Sequence, residues 1–180
     1  SYKIAINGYG RIGRCILRSF YESTSYHDLR ISAINDIADI ETLAHLTEFD
    51  STHGRFLGDI KMSDENLLIN DDVISLSKSP EISRLPWADL NIDLVMECSG
   101  SFTARCIAER HLEAGAQKVL FSQPAEKDVD ATVVYGINHN LLSREAKIIS
   151  NASCTTNSVV PVLKVLDDAF SIETGAITTI

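Results

Sequence analysis

Apolar positions along this chain recur in two periods, and the places where one period gives way to the other lay out the elements. Residues 3–7 form a short apolar run that stops at the glycine-rich Gly8-Tyr9-Gly10-Arg11-Ile12-Gly13. Beyond it Ile12, Ile16, Leu17 and Phe20 recur at helical spacing, so strand, turn and helix follow in that order. Residues 29–35 are the next β-like run, and Ile40, Leu43, Ala44 and Leu46 predict a helix with Asp39 as its N-cap. Residues 55–79 read as short antiparallel strands broken by polar turns, the clearest at Asn70-Asp71-Asp72. Strands are then predicted at 94–98 and 118–122 around a helix over 103–114 that Gly115 closes. Two further strands are predicted at 132–135 and 147–150. The apolar positions Val159, Val160, Val162, Leu163, Leu166 and Phe170 fit a helix over 154–170, with Pro161 tolerable only within its first turns. Residues 176–180 begin another β run.

Strand and helix alternation on both sides of an antiparallel middle defines the fold class as α/β. It predicts a Rossmann-type, doubly wound, mostly parallel sheet over residues 1–153. Residues 154–180 then supply the first helix and strand of a second domain. A chain that stops inside a β run reads as truncated.

Composition narrows the function classes. With 180 residues, 44% hydrophobic and 23% charged, this is an ordinary soluble chain with one substantial core and the start of a second. A net charge of -9 argues against a sequence-independent grip on nucleic acid, which needs clustered Lys and Arg. No apolar run reaches the length of a bilayer, and residues 1–7 lack the features of a signal peptide, which places the protein in the cytoplasm. Cys15, Cys98, Cys106 and Cys154 show neither C-x-x-C spacing nor a paired framework, so no metal site and no structural disulfide is expected. The first three read as core thiols.

The glycine pattern carries dinucleotide chemistry. Gly8 permits a tight turn, Gly10 lets backbone approach a pyrophosphate, and Gly13 lets helix and strand pack closely. The helix amino terminus then faces the phosphates with unpaired N–H groups and the positive end of its dipole, offered by Arg11 and Ile12. The Arg11 side chain reads equally as a pyrophosphate neighbour or a surface charge. Asp36 ends the next β run, where a carboxylate accepts hydrogen bonds from the adenosine ribose and repels a 2′-phosphate, selecting NAD over NADP. Its plainer reading is a capping or turn aspartate. Ser99, Gly100 and Ser122 follow two other parallel strands and are either cofactor neighbours or ordinary strand-end turn residues.

Cys154 lies in Ser150-Asn151-Ala152-Ser153-Cys154-Thr155-Thr156-Asn157, between a predicted strand and a predicted helix. The thiolate is the nucleophilic form, and a helix amino terminus favours it. A lone cysteine by spacing alone is more often a buried apolar residue. The surrounding hydroxyls and amides argue the other way.

The stretches INGYGRIGR, FDSTHGRF, ECSG and SNASCTTN together resemble the successive signatures of the glyceraldehyde-3-phosphate dehydrogenase family. Within it, INDIADIETLAHL, LPWADL, DATVVYGIN and LDDAFSIETGAITTI resemble the erythrose-4-phosphate dehydrogenase branch. The resemblance implies that Cys154 is the catalytic nucleophile, attacking an aldehyde to give a thiohemiacetal that NAD oxidises to a thioester. Water then releases 4-phosphoerythronate, a precursor in pyridoxal phosphate synthesis; the parent enzyme uses inorganic phosphate instead. It also implies that the Cys154 N–H helps hold the oxyanion, that Ser153 and Thr155 line the substrate, and that the full-length protein is a homotetramer.

The sequence departs from that family in three places. Ser158 replaces a second cysteine, and an arginine that relatives carry near Pro80, beside the adenine, is missing. The general-base histidine expected after Thr178-Thr179-Ile180 also falls beyond the chain. None of the five histidines is expected to replace it: His53 sits in a structural loop, and His27, His45, His111 and His139 read as solvated or core residues. An NAD-binding piece without turnover is therefore a second reading of the chain as it stands.

Overall fold

The computed structural model describes residues 1–23 and 25–179. In chain order, β1 (Tyr2–Asn7) leads into α1 (Arg11–Glu22) and β2 (Leu29–Asn35) into α2 (Ile40–Glu48). A small hairpin of β3 (Phe49–Asp50) and β4 (Gly54–Arg55) precedes β5 (Ile60–Ser63), β6 (Asn66–Ile69) and β7 (Asp72–Ser77). A 3-10 turn, Ile82–Arg84, and a short α3 (Trp87–Leu90) lead to β8 (Leu94–Glu97), α4 (Arg105–Glu113) and β9 (Lys118–Phe121). The chain closes with β10 (Ala131–Thr132), a second 3-10 turn at His139–Leu141, β11 (Ile148–Ser150) and α5 (Cys154–Phe170).

Nine strands form one sheet in the order β10-β11-β9-β8-β1-β2-β7-β6-β5. Every pairing is parallel except β5 with β6 and β6 with β7. The chain winds outward from β1 through β2, then returns to lay β8 on the other flank of β1. That reversal is the switch point at which open α/β sheets form a crevice beyond the carboxyl ends of their strands.

Parallel strands sandwiched by helices are apolar on both faces, as Ile4, Ala5 and Ile6 illustrate, all buried. Ala5, Ala33, Val95 and Val119 pack with Leu85, Trp87 and Ala108 on one face. On the other, Ile6, Ile31 and Ile34 pack with Leu17, Leu43 and Phe56. Asn7 is in register with both Asn35 and Glu97, so three polar side chains end the three central strands side by side.

The doubly wound α/β architecture is the one expected, and Asp39 caps α2 by accepting from Thr42 N at 2.7 Å. Several elements differ. The expected strand at 132–135 is β10, shifted to Ala131–Thr132. There the Asp130 carboxylate accepts from the N–H groups of Lys147 and Ile148, while Asn138 Oδ1 takes the Val134 N–H and turns the chain away. Cys106, expected in the core, is exposed. It lies two helical positions, about 200°, from the buried Ala108, on the solvent side of α4. Residues 176–179 carry no regular secondary structure, and Ile180 of the expected strand lies outside the described residues. Helix α5 runs through Pro161 in its interior, leaving the Asn157 carbonyl without its i+4 donor. None of its described residues is buried. No described helix is long and apolar enough to cross a membrane.

Candidate functional site

At the switch point the chain leaves β1 through Gly8, whose φ of +86° lies in the left-handed region. A Cβ there would stand 2.4 Å from Ser99 Cα and N, so only glycine lets the first turn close against the end of β8. A Cβ at Gly13 would meet the Gly8 carbonyl at 2.5 Å, so the helix also packs down on that turn. Gly10 differs, with nothing within 4 Å of an added Cβ. It is the N-cap of α1 and has no side chain to satisfy the first-turn donors, which leaves the N–H groups of Arg11 and Ile12 without intrahelical partners. Open space above an uncapped helix start, over a glycine, fits a pyrophosphate.

Asp36 stands beside this turn. Its carboxylate accepts from Tyr9 N at 2.6 Å and from Ala38 N at 3.0 Å. Each oxygen therefore keeps acceptor capacity for a further donor. Capping of α2 belongs to Asp39 instead. Gly8, Gly10, Asp36 and Ser99 line a crevice of about 350 Å³ together with Asn7, Asn35, Ile37, Ser79, Pro80, Ile82, Cys98, Ser101 and Phe102. That volume falls within the range of small-molecule sites. Ile37, Pro80, Ile82 and Phe102 give it apolar walls on which a planar base can rest.

The other cofactor candidates surround this crevice without lining it. Arg11 directs its guanidinium to Asp50 at 3.5 Å and is exposed. Asp50 holds charge firmly, because hydrogen bonds led by the His53 and Thr52 N–H groups keep its carboxyl well below the usual carboxylate range. Ile12 is exposed and Gly13 is buried under the turn, so Ile12 offers only backbone and Gly13 only close packing. Gly100, at φ +71°, continues the Ser99 turn. Ser122 donates its hydroxyl to Gln123 Oε1 at 2.7 Å, at the end of β9.

Cys154 is the first residue of α5 and is exposed. Ser153 caps the helix, accepting from Thr156 N at 2.9 Å and sharing a 2.7 Å hydrogen bond with the Thr156 hydroxyl. The loop before it is pinned from both sides. Asn157 Nδ2 donates to the Asn151 and Ser153 carbonyls. Ser150 Oγ, fully buried, accepts from Ala125 N and Ala152 N and donates to the Gln123 carbonyl. Ala152 takes a left-handed φ of +57° to make the corner. Thr155 is exposed beside Cys154. Among the described residues no cluster of three metal-binding side chains forms.

Below the crevice floor lies a feature that the motifs did not reveal. Glu97, fully buried, accepts from Asn7 Nδ2 at 2.6 Å, from Ser99 N at 2.9 Å and from His111 Nε2 at 3.0 Å. Burial works to raise its carboxyl, but these hydrogen bonds, led by the one from His111, prevail and hold it below its ordinary value. The visible clue was an acid at the end of an otherwise apolar strand, a position that demands a partner.

A doubly wound sheet whose first strand ends in a glycine turn at the start of a helix, with an acid at the end of the neighbouring strand, is the form of a dinucleotide-binding domain. Residues 2–105 match the family model described as glyceraldehyde 3-phosphate dehydrogenase, NAD binding domain. Residues 153–180 match its companion, glyceraldehyde 3-phosphate dehydrogenase, C-terminal domain. The chain belongs to the glyceraldehyde 3-phosphate dehydrogenase family, and NAD is its cofactor.

Proposed function

We propose that the protein oxidises D-erythrose 4-phosphate to 4-phosphoerythronate, as a cytoplasmic homotetramer of the erythrose-4-phosphate dehydrogenase branch, with residues 1–153 as its nucleotide domain and 154–180 opening the catalytic domain. The observation that carries the dehydrogenase reading is the Asp36 carboxylate, held 2.6 Å from the Tyr9 N–H at the mouth of the glycine turn. The branch assignment is supported by the subfamily-like stretches from Ile34 to Leu46 and from Leu166 to Ile180.

In this reading the N–H groups of Arg11 and Ile12 take the pyrophosphate over Gly10, and the Gly8 turn, closed by Gly13, holds them in place. Asp36 takes the ribose hydroxyls, and Ser99, Gly100 and Ser122 border the path toward the nicotinamide. Bound there, NAD supplies the hydride acceptor. The Cys154 thiolate adds to the aldehyde carbon, and its own N–H steadies the oxyanion while Ser153 and Thr155 border the substrate. Oxidation leaves a thioester on Cys154, which water opens to the acid.

Asp36→Ala is expected to weaken NAD binding about 10- to 30-fold, on the scale of a lost charge-assisted hydrogen bond. It should also narrow the preference for NAD over NADP by removing the charge that repels a 2′-phosphate. Isothermal titration with both nucleotides checks this, and a variant that still discriminates like the parent would remove Asp36 from the site. Turnover of erythrose 4-phosphate without inorganic phosphate supports the branch. Turnover confined to glyceraldehyde 3-phosphate with phosphate would instead place the protein with the phosphorylating enzymes.

A further inference from the structure

Side-chain polar groups sealed from water must find partners, and here the pairing runs in one sense only. Trp87, His111, Glu97, Asn7 and Asn35 are between 0 and 6% exposed and join end to end from the core up to the crevice, which Asn7 and Asn35 line. Trp87 Nε1 donates to His111 Nδ1 at 2.9 Å. An indole N–H only donates, so Nδ1 is the acceptor nitrogen and the imidazole proton sits on Nε2, aimed at Glu97 Oε2. Asn7 Nδ2 gives Oε2 its second hydrogen bond, which leaves Asn7 Oδ1 to accept from Asn35 Nδ2 at 2.8 Å. Asn35 in turn clasps the Ser79 backbone through both its N–H and its carbonyl. The other carboxylate oxygen, Oε1, takes the Ser99 N–H.

Two branches of this network surface at the crevice: Ser99 and Ser79 both line it, following β8 and β7 on the two flanks of the β1–β2 pair. We propose that Glu97 is a positioning residue for the dinucleotide: its carboxylate, oriented by His111 and Trp87, sets one wall through Ser99 and the other through Asn7, Asn35 and Ser79. Glu97 touches no ligand itself, since it is fully buried. Its three donors all point inward, so only an acceptor at both oxygens satisfies them. An apolar residue of similar volume would fill the same space in the core but would hold neither wall. This inference rests on the crevice being the NAD site.

Glu97→Gln tests it with the shape conserved. If the amide oxygen keeps the bonds from His111 and Asn7, its NH₂ confronts the Ser99 N–H and forces that turn to shift. NAD affinity is expected to fall at least 10-fold by titration, and the Ser99 amide should move upfield in the ¹H–¹⁵N spectrum as its charge-assisted bond is lost. His111→Leu and His111→Gln form a second pair that keeps the test decisive if Glu97→Gln does not fold. Leucine deprives Glu97 of a donor and should lower affinity similarly, whereas glutamine, which can donate to Glu97 and accept from Trp87, should restore it to within about 3-fold of the parent. Parental NAD affinity in Glu97→Gln with an unmoved Ser99 amide, or in His111→Leu, overturns the inference. Gly10→Val separates this from failure of the crevice reading: if that variant binds NAD like the parent, the site itself is misplaced.

Discussion

Gly8→Ala is expected to destabilise the protein by about 3 kcal/mol, lowering the melting midpoint by roughly 6–12 °C for a chain of this size. The added methyl would lie 2.4 Å from two Ser99 backbone atoms and 2.8 Å from the Cys98 carbonyl carbon, at a φ of +86° that alanine rarely adopts. Backbone at the junction of two central strands has little room to yield. The same step pushes Ser99 away from Glu97 Oε1, so NAD binding should fall with stability. Gly10→Val provides the contrast. Nothing lies within 4 Å of its Cβ and its φ is an ordinary −71°, so stability should stay within about 1 kcal/mol, while the side chain occupies the space assigned to the pyrophosphate and cuts NAD affinity at least 100-fold. Thermal melts and titrations on the two variants separate them. Equal effects of both substitutions on stability and binding would contradict the division of labour between the two glycines.

Cys154→Ala should reduce dehydrogenase turnover of the holoenzyme by about 10⁴-fold or more, as removal of a covalent nucleophile does. NAD affinity should change by less than about 2-fold, because no residue of α5 lines the crevice. Chemical modification offers the complementary reading. Cys154 is exposed at the start of a capped helix. Cys98, on the wall of the crevice, is buried, and burial pushes its thiol up to about 12, so it stays protonated and unreactive at neutral pH. Peptide mapping after iodoacetamide treatment should find Cys154 modified in step with the loss of activity and Cys98 intact. Loss of activity that instead tracked Cys106, the other exposed thiol, would move the nucleophile away from α5.

What the sequence made legible was whatever a local pattern encodes. The strand over Leu29–Asn35, the glycine turn, the Asp39 cap and the helix starting at Cys154 all rest on periodicity or on turn chemistry within a few residues. Less legible was what only the sheet assembles. Pro80, Ile82 and Phe102 reach the crevice from loops far apart in the chain and carry no motif. Trp87 sits in a four-residue helix too short to show a period, and its link to His111 and Glu97 exists only because α4 packs over β8. His111 was readable as a core residue. Its place in the chain of hydrogen bonds was not, since that depends on Asn7, Asn35 and Glu97 coming into register. Cys106 differs from a core thiol for a local reason: it sits in a helix, but on the face of α4 away from the buried Ala108 and His111.

The most direct test of the dinucleotide site is the structure of the protein in complex with NAD. The pyrophosphate should lie over Gly10 against the N–H groups of Arg11 and Ile12, with a ribose hydroxyl within about 3 Å of an Asp36 carboxylate oxygen. NAD bound elsewhere on the sheet, or an Asp36 side chain turned away from the sugar, would contradict the account.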